Sequence, residues 1–434
     1  MTTAARSLPT PTRPTPTLHA HTGAPVTEAV LSAVSSAAVD GALPAYVYDV
    51  GHLAKHLGRI RAGLAQAGPN LSVLHAVKAN PDAGLLAVVA RHVDGLEVAS
   101  GGELAHVRGL LPDVPLAFGG PGKTDAELTA ALLAGVERFH VESPRELRTL
   151  DRLAREHGIV ATVLLRCNFP LGEVGEGSGD GAGSGRAGGL AGAALRMGGT
   201  PSPFGMDPET ADAAAGELPR LGGIRFAGIH AHLASGLESA QCAELAGDIL
   251  GWSRDFATRH GLPLEEVNVG GGMAVDYTRP GALFDWEDYG WRMAAVVERY
   301  GPVRVRIEPG RAVSAYSGWY ATRVLDLKRS HGSWFAVCAG GTHHLRTPAA
   351  KGHSQPLAVV RGESSREQPD ATGVPVTFVG QLCTPKDVLA RDVPVDALAV
   401  GDLVVFGMAG AYAYNISHRD FLLHPAPRVL PVGG

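Results

Sequence analysis

Little in this chain ties it to a membrane, to nucleic acid or to an oxidising compartment. Its 434 residues include only four cysteines (Cys167, Cys242, Cys338 and Cys383), and none of them is closely spaced with another. That excludes a disulfide framework or a zinc knuckle. Charged residues make up 19% and the formal net charge is -5, which leaves no basic patch for nucleic acid and no polybasic membrane anchor. No apolar run approaches the ~20 residues of a membrane-spanning helix. The start of the chain lacks the order of a signal peptide: Ser7–Thr17 is rich in proline and threonine and reads as a disordered extension. The expected location is therefore a reduced cytoplasm, with neither membrane nor nucleic acid as partner. The chain does have material for a large core, with 45% hydrophobic residues, enough for two domains.

Lys78 is the most informative residue. It follows the apolar, β-rich run Leu71–Val77 and precedes Asn80-Pro81, so its amine points out of the C-terminal end of a strand. Asn268-Val-Gly-Gly-Gly272 and Glu308-Pro-Gly-Arg311 end two later runs of the same kind. A strand-end lysine, a glycine-rich anion cradle and an acid–arginine pair are what a protein needs to hold pyridoxal 5'-phosphate. The lysine carries the cofactor, glycine amides and arginine take the phosphate, and the acid meets the pyridine nitrogen. Taken alone, Lys78 reads equally as a solvated surface lysine; the combination is what argues for a site.

Eight apolar runs end in polar or glycine-rich turns: Leu71–Val77, Gly95–Ala99, Val114–Phe118, Arg138–Glu142, Val160–Cys167, Arg225–Leu233, Leu264–Val269 and Val303–Ile307. Segments of helical character separate most of them, such as Glu103–Leu110, Asp125–Leu133 and Pro144–His157. This alternation predicts an α/β fold built on a TIM-like (β/α)8 barrel, whose chemistry sits at the strands' C-terminal ends. After Arg311 short β-like runs dominate (Trp319–Leu325, Trp334–Cys338, Val376–Val379, Asp402–Phe406), which predicts a separate β-domain sharing its sheet with Ala45–Asp49. The expected division is a disordered tail over 1–25, a segment 26–65 joining the β-domain, the barrel over 66–311 and the β-domain over 312–434. A glycine-rich stretch at 172–192 reads either as a plain insertion or as a loop over the barrel mouth.

Val77-Lys-Ala-Asn80, Val98–Glu103, Val141-Glu-Ser143, His230-Ala-His-Leu-Ala-Ser-Gly236, Gly270–Gly272, Glu308–Arg311, Gly380-Gln-Leu-Cys-Thr-Pro-Lys-Asp387 and Gly410-Ala-Tyr412 resemble the fold-type III pyridoxal-phosphate decarboxylases. That family includes the diaminopimelate, ornithine and arginine decarboxylases, with alanine racemase as a barrel cousin. The resemblance runs from about Ala45 to Pro425. It implies Lys78 as the lysine that carries the cofactor, Glu308 beside the pyridine nitrogen, and His232 against the ring. It implies Gly270, Gly271, Gly272, Ser235, Gly310, Arg311 and Tyr412 around the phosphate. Cys383 matches the cysteine supplied by the opposite subunit as proton donor, which implies a homodimer with shared active sites. Glu97 and Glu103 match acidic positions near the lysine, although either also reads as a helix-capping or exposed carboxylate. His230 points the same way as His232 along a strand; a metal site there is set aside because no set of carboxylates accompanies the pair.

Two departures bear on the substrate. Thr384 follows the cysteine where diaminopimelate decarboxylases carry a glutamate that reads the distal amine. Arg346 is followed by Ala349 and Ala350 where those enzymes carry an aromatic gripping the distal carboxylate. Sites that lose such partners discriminate strongly between ligands. The runs His343-His344-Leu345-Arg346 and Asn415–Phe421 resemble a subgroup of siderophore pathways that decarboxylates an amino acid already joined to citrate. On that reading His343, His344, Arg346, Thr384 and Asp387 face the substrate, with cationic and donor groups for its anionic part. Diaminopimelate decarboxylation and amino-acid racemisation are the alternatives; Glu308 argues against the racemase, where the cousin fold places an arginine. A third alternative, a cofactor-binding protein without activity, is opposed by the presence of both Lys78 and Cys383.

Overall fold

Parallel strands that are covered on both faces must be apolar throughout, and the eight runs meet that requirement. In the computed structural model they are Leu71–Ala76, Gly95–Val98, Leu116–Phe118, Arg138–Val141, Ala161–Arg166, Ile224–His230, Glu266–Asn268 and Arg304–Ile307. They pair in parallel in that order, and the eighth closes on the first through Val305↔Leu71 to form a closed barrel. The (β/α)8 expectation holds. The structure describes residues 18–21, 23, 25–170, 195–196, 198–362, 365 and 369–434. The glycine-rich stretch 172–192 and most of the expected tail lie outside the described residues.

The helices between strands follow their local signals. Ser143 caps Pro144–Glu156 by accepting from the Glu146 amide, with proline at the first helical turn. Leu147, Leu150, Leu153 and Ala154 form the buried stripe of that helix, spaced for one helical face. Each such leucine contributes about 1.5–3 kcal/mol by leaving water, so Leu150→Asp would strip this helix from the barrel. Thr124 and Glu127 close a reciprocal capping box on Asp125–Leu133, each satisfying the other's free amide.

Past Arg311 the chain enters the second unit. One sheet runs in the order Leu18–His21, Leu357–Val360, Leu403–Phe406, Gly318–Ser330, Ser333–Cys338, Ala371–Val379, Val388–Leu398. Ala45–Asp49 joins it by pairing antiparallel with Gly318–Ala321 and parallel with Arg428–Val432. The separate β-domain and its borrowed N-terminal strand agree with expectation. Leu18–His21 does not: it falls in the stretch expected to be a disordered tail, yet it pairs antiparallel with Ala358–Val360. The helix Glu28–Val39 covers this sheet through Val30, Leu31 and Val34, which pack with Val47, Trp319 and Val405.

Candidate active site

Every barrel strand but the third delivers a polar side chain at or near its C-terminal end. Lys78 stands on a single 3-10 turn, Val77–Ala79, directly after the first strand. Its ammonium donates to Glu97 Oε2 at 2.7 Å, while its own side chain keeps 46% of its surface exposed at the barrel mouth. Burial works against the charge, but Glu97, Tyr412 and Glu308 together raise the amine above the ordinary lysine value. Glu97 lies within the second strand and is buried. Glu103 divides from it in role: it accepts from the Ala99 amide while Ser100 accepts from the Glu103 amide, so it caps its own helix.

The lysine turn is strapped to the second unit. Asn415 Nδ2 donates to the Lys78 carbonyl at 2.8 Å, the Tyr412 amide donates to Ala79 O at 2.8 Å, and Asn80 Nδ2 donates to Gly410 O at 3.0 Å. Tyr412 has φ +49° at this strap, a conformation few side chains accept.

The glycine cradle admits no side chain. A β-carbon on Gly270 would stand 2.5 Å from His232 Nδ1, one on Gly271 2.4 Å from the Glu308 carbonyl, and one on Gly272 2.4 Å from Ala234 O. Gly270 and Gly272 also hold φ of +72° and +101°, which glycine adopts without strain. The Gly271 amide donates to His232 Nδ1 at 3.2 Å, so the His232 proton sits on Nε2. Burial first, then the charges of Lys78 and Arg166, push His232 down to about 3, and the ring is neutral. Ser235 lies half-buried beside the cradle, where the Gly236 amide donates to Gly272 O at 2.7 Å. Arg311 opens a short helix after Gly310, donates to the Tyr277 hydroxyl at 2.8 Å and lies over the Tyr412 ring at 4.5 Å. A cradle in which β-carbons do not fit, beside a guanidinium and a tyrosine, suits a phosphate.

Glu308 directly follows the eighth strand and is buried. Asn268 Nδ2 donates to its Oε1 at 2.7 Å, and Asn268 Oδ1 accepts from the Gly270 amide at 2.9 Å, so one side chain ties acid to cradle. His230 Nε2 stands 3.4 Å from Glu308 Oε2, and His140 Nδ1 3.8 Å from Oε1. Burial opposes ionisation, yet His230, His140 and Lys78 hold the carboxyl well below its usual range. His75 and His56 brace the segment beyond it, donating to Pro309 O at 3.0 Å and Ala312 O at 2.8 Å.

His230 and His232 do not share a site: one faces Glu308, the other the Gly271 amide. The reason given for setting a metal aside needs correction, because Glu308 and His140 do accompany His230 within 4.8 Å. The rings of His140 and His230 stack at 4.1 Å and 12°, however, which directs their nitrogens side by side and not onto a common point.

The substrate assignments divide. Arg346 and Thr384 line a cleft of about 710 Å³ together with His353, Lys386, Arg391 and His418. Asp387, His343 and His344 do not line it; all three are buried. Asp387 accepts from the amides of Thr342 at 2.6 Å and Leu382 at 2.8 Å, which makes it the clasp of its own loop. His344 bonds the Tyr320 hydroxyl and Pro425 O. His343 packs against His344 and His424. Burial pushes both histidines down to about 4, so neither is a cation at neutral pH. Cys383 is exposed on the same loop. Reasoning from sequence missed Asn268 and Asn415, both inside quoted motifs, and His140 and Tyr277, for which no local signal existed.

Residues 51–315 match the family model described as "Pyridoxal-dependent decarboxylase, pyridoxal binding domain". The chain is 35% identical over 391 residues to the 2-[(L-alanin-3-ylcarbamoyl)methyl]-2-hydroxybutanedioate decarboxylase of Staphylococcus aureus, covering 89% of this chain and 93% of that enzyme. It is 30% identical over 379 residues to the diaminopimelate decarboxylase of Pseudomonas aeruginosa, covering 86% and 84%. Its fold superposes on the crystal structure of diaminopimelate decarboxylase from M. jannaschii with a TM-score of 0.77 at 22% identity, covering 92% and 89%.

Proposed function

This chain belongs to the pyridoxal-dependent decarboxylases, and from that premise we propose that it decarboxylates an amino acid already joined to a citrate-like polycarboxylate. The observation that carries the substrate reading is the cleft beside the β-domain loops. Arg346, Lys386 and Arg391 line it with His353 and His418, and no carboxylate does so among the described residues. Such a surface attracts and orients a ligand bearing several carboxylates. The name of the S. aureus relative spells an alanine unit amide-linked to a hydroxylated polycarboxylate, a ligand of that character.

Pyridoxal phosphate, when bound, supplies the sink for the electron pair left as carbon dioxide departs. Lys78 carries it, and Glu97 holds the lysine at the barrel mouth. The side-chain-free turn Gly270–Gly272, with Ser235, Arg311 and Tyr412, would hold the phosphate; His232 would sit against the ring and Glu308 would meet the pyridine nitrogen. A carboxylate at that place keeps the nitrogen protonated. Cys383, exposed in the single chain, serves a second copy as proton donor, so the working unit is a homodimer. Its four unpaired thiols suit a reducing compartment, and the cytoplasm is the location that goes with this reading.

The test is carbon dioxide release by the loaded enzyme from a citrate-linked diamino acid, compared with free diaminopimelate, lysine and ornithine. The conjugate should be the best substrate by kcat/KM. If diaminopimelate is better, Thr384, Ala349 and Ala350 do not set the substrate and the enzyme serves lysine biosynthesis.

A further inference from the structure

We propose that His230, with His140 stacked upon it, is the positioning pair that decides whether the proton of the site rests on Glu308 or on the pyridine nitrogen. The proposal rests on the assignment of Glu308 to that nitrogen.

Both histidines are buried, and among the described residues none of their four ring nitrogens has a well-aligned hydrogen-bond partner. Buried polar atoms seldom stand so, and two such rings side by side call for an explanation. The carboxylate of Glu308 is what they share: His230 faces one oxygen at 3.4 Å and His140 the other at 3.8 Å. Asn268 already donates to Oε1, which leaves Oε2 to His230. The stack itself limits the charge, because two imidazolium rings 4.1 Å apart would repel strongly in a buried place. Arg166 and Lys123 add positive charge at His140, Lys78 acts on Glu308, and Lys123 is itself paired with Glu146 at 2.7 Å. Burial, then the neighbouring His230, hold His140 well below the usual histidine range, so His140 is a neutral ring, and His230 is the donor nearer to the carboxylate.

A donor facing Oε2 favours the ionised form of Glu308. Without it the acid would stand in the barrel core with Asn268 alone as donor, and a buried carboxylate so under-supplied takes up a proton. A protonated Glu308 donates to the ring nitrogen and does not accept from it, so the nitrogen would lose its own proton. The pair thus governs the charge of the ring without touching it. Parallel rings also argue against a metal, whose ligands must aim their lone pairs at one point.

The experiment is nitrogen NMR of the enzyme loaded with pyridoxal phosphate labelled at the ring nitrogen. Wild type and His230→Asn, which keeps a donor, should show a protonated nitrogen. His230→Phe should move the signal to the unprotonated position, and turnover should fall with it. A signal unchanged from wild type in His230→Phe overturns the proposal. Glu308→Gln separates the two readings: if it also leaves the nitrogen protonated, the assignment of Glu308 fails first. Should His230→Phe not fold, His140→Leu is read in the same way, and an unchanged signal there overturns the pair. Binding of one equivalent of zinc by the apoenzyme, lost in His140→Leu, would make the cluster a metal site and likewise overturn it.

Discussion

Asn268→Ala should do more damage than the loss of one buried amide suggests, because this side chain joins the acid to the phosphate cradle. It is fully buried, donates to Glu308 Oε1 at 2.7 Å and accepts from the Gly270 amide at 2.9 Å. A hydrogen bond to a charged group is worth about 1.5–3 kcal/mol, and an orphaned buried amide costs about 1–3 kcal/mol. The two terms overlap where water enters the vacated space, so about 3–5 kcal/mol is expected in all. Part should appear as lower stability of the apoenzyme. The rest should appear in the cofactor, since Glu308 and Gly270 move together: weaker binding by at least tenfold for each 1.4 kcal/mol falling on the bound state. The assays are urea denaturation of the apoenzyme and fluorescence titration with pyridoxal phosphate. Asn268→Asp, which sets a second carboxylate against Glu308, should be worse still. An alanine variant with wild-type cofactor affinity and wild-type apoenzyme stability would refute the linkage.

Arg346→Ala should raise KM for the citrate-linked substrate by about ten- to a hundredfold with kcat little changed, since a charge-assisted bond of about 1.5–3 kcal/mol is lost from ground and transition state alike; steady-state kinetics on the conjugate check it, and an unchanged KM removes Arg346 from the substrate site. Mixing Lys78→Ala with Cys383→Ala, each inactive alone, should restore partial activity through mixed dimers that hold one site with neither lesion; an active monomer by light scattering would contradict the shared site. Acid should destabilise the fold between pH 6.5 and about 4. Burial pushes His56 and His75 down to about 4 from the ordinary histidine value of 6.5. Above pH 6.5 both states are neutral and the full stability is present. Below it the unfolded chain takes up protons that the native state refuses until about pH 4, so stability falls as pH falls, by about 3 kcal/mol for each group. Thermal midpoints across that window should drop steeply, and His75→Gln should flatten the drop; a flat wild-type profile would refute the burial argument.

What the sequence made legible follows from how each part is held. The barrel strands were readable because parallel strands covered on both faces are continuous apolar runs, and each ends where a motif begins. The outer strands of the β-domain were harder. Val388–Leu398 carries Arg391, Asp392, Pro394 and Asp396 on a strand at the end of the sheet order, where charge and proline are tolerated and the apolar signal is diluted. Leu18–His21, next to a proline- and threonine-rich stretch, owes its strand to pairing with residues more than 300 positions away, which no local pattern records.

The site divides along the same line. Lysine at a strand end, glycines where no β-carbon fits and an acid after the eighth strand are demands on residue type, and a sequence displays type directly. Environment is another matter. His343 and His344 stand beside Arg346 in the chain and were read as cations for an anionic ligand, but burial keeps both neutral and turns them into the core. Arg346 does line the cleft, and the other two cations there, Lys386 and Arg391, come from a different strand and its approach. His140 carried no signal because its partners, His230 and Glu308, come from two other strands of the barrel. A side chain's charge is settled by what the fold stacks against it, and here the groups that settle the charge of Glu308 lie 78 and 168 positions before it in the chain.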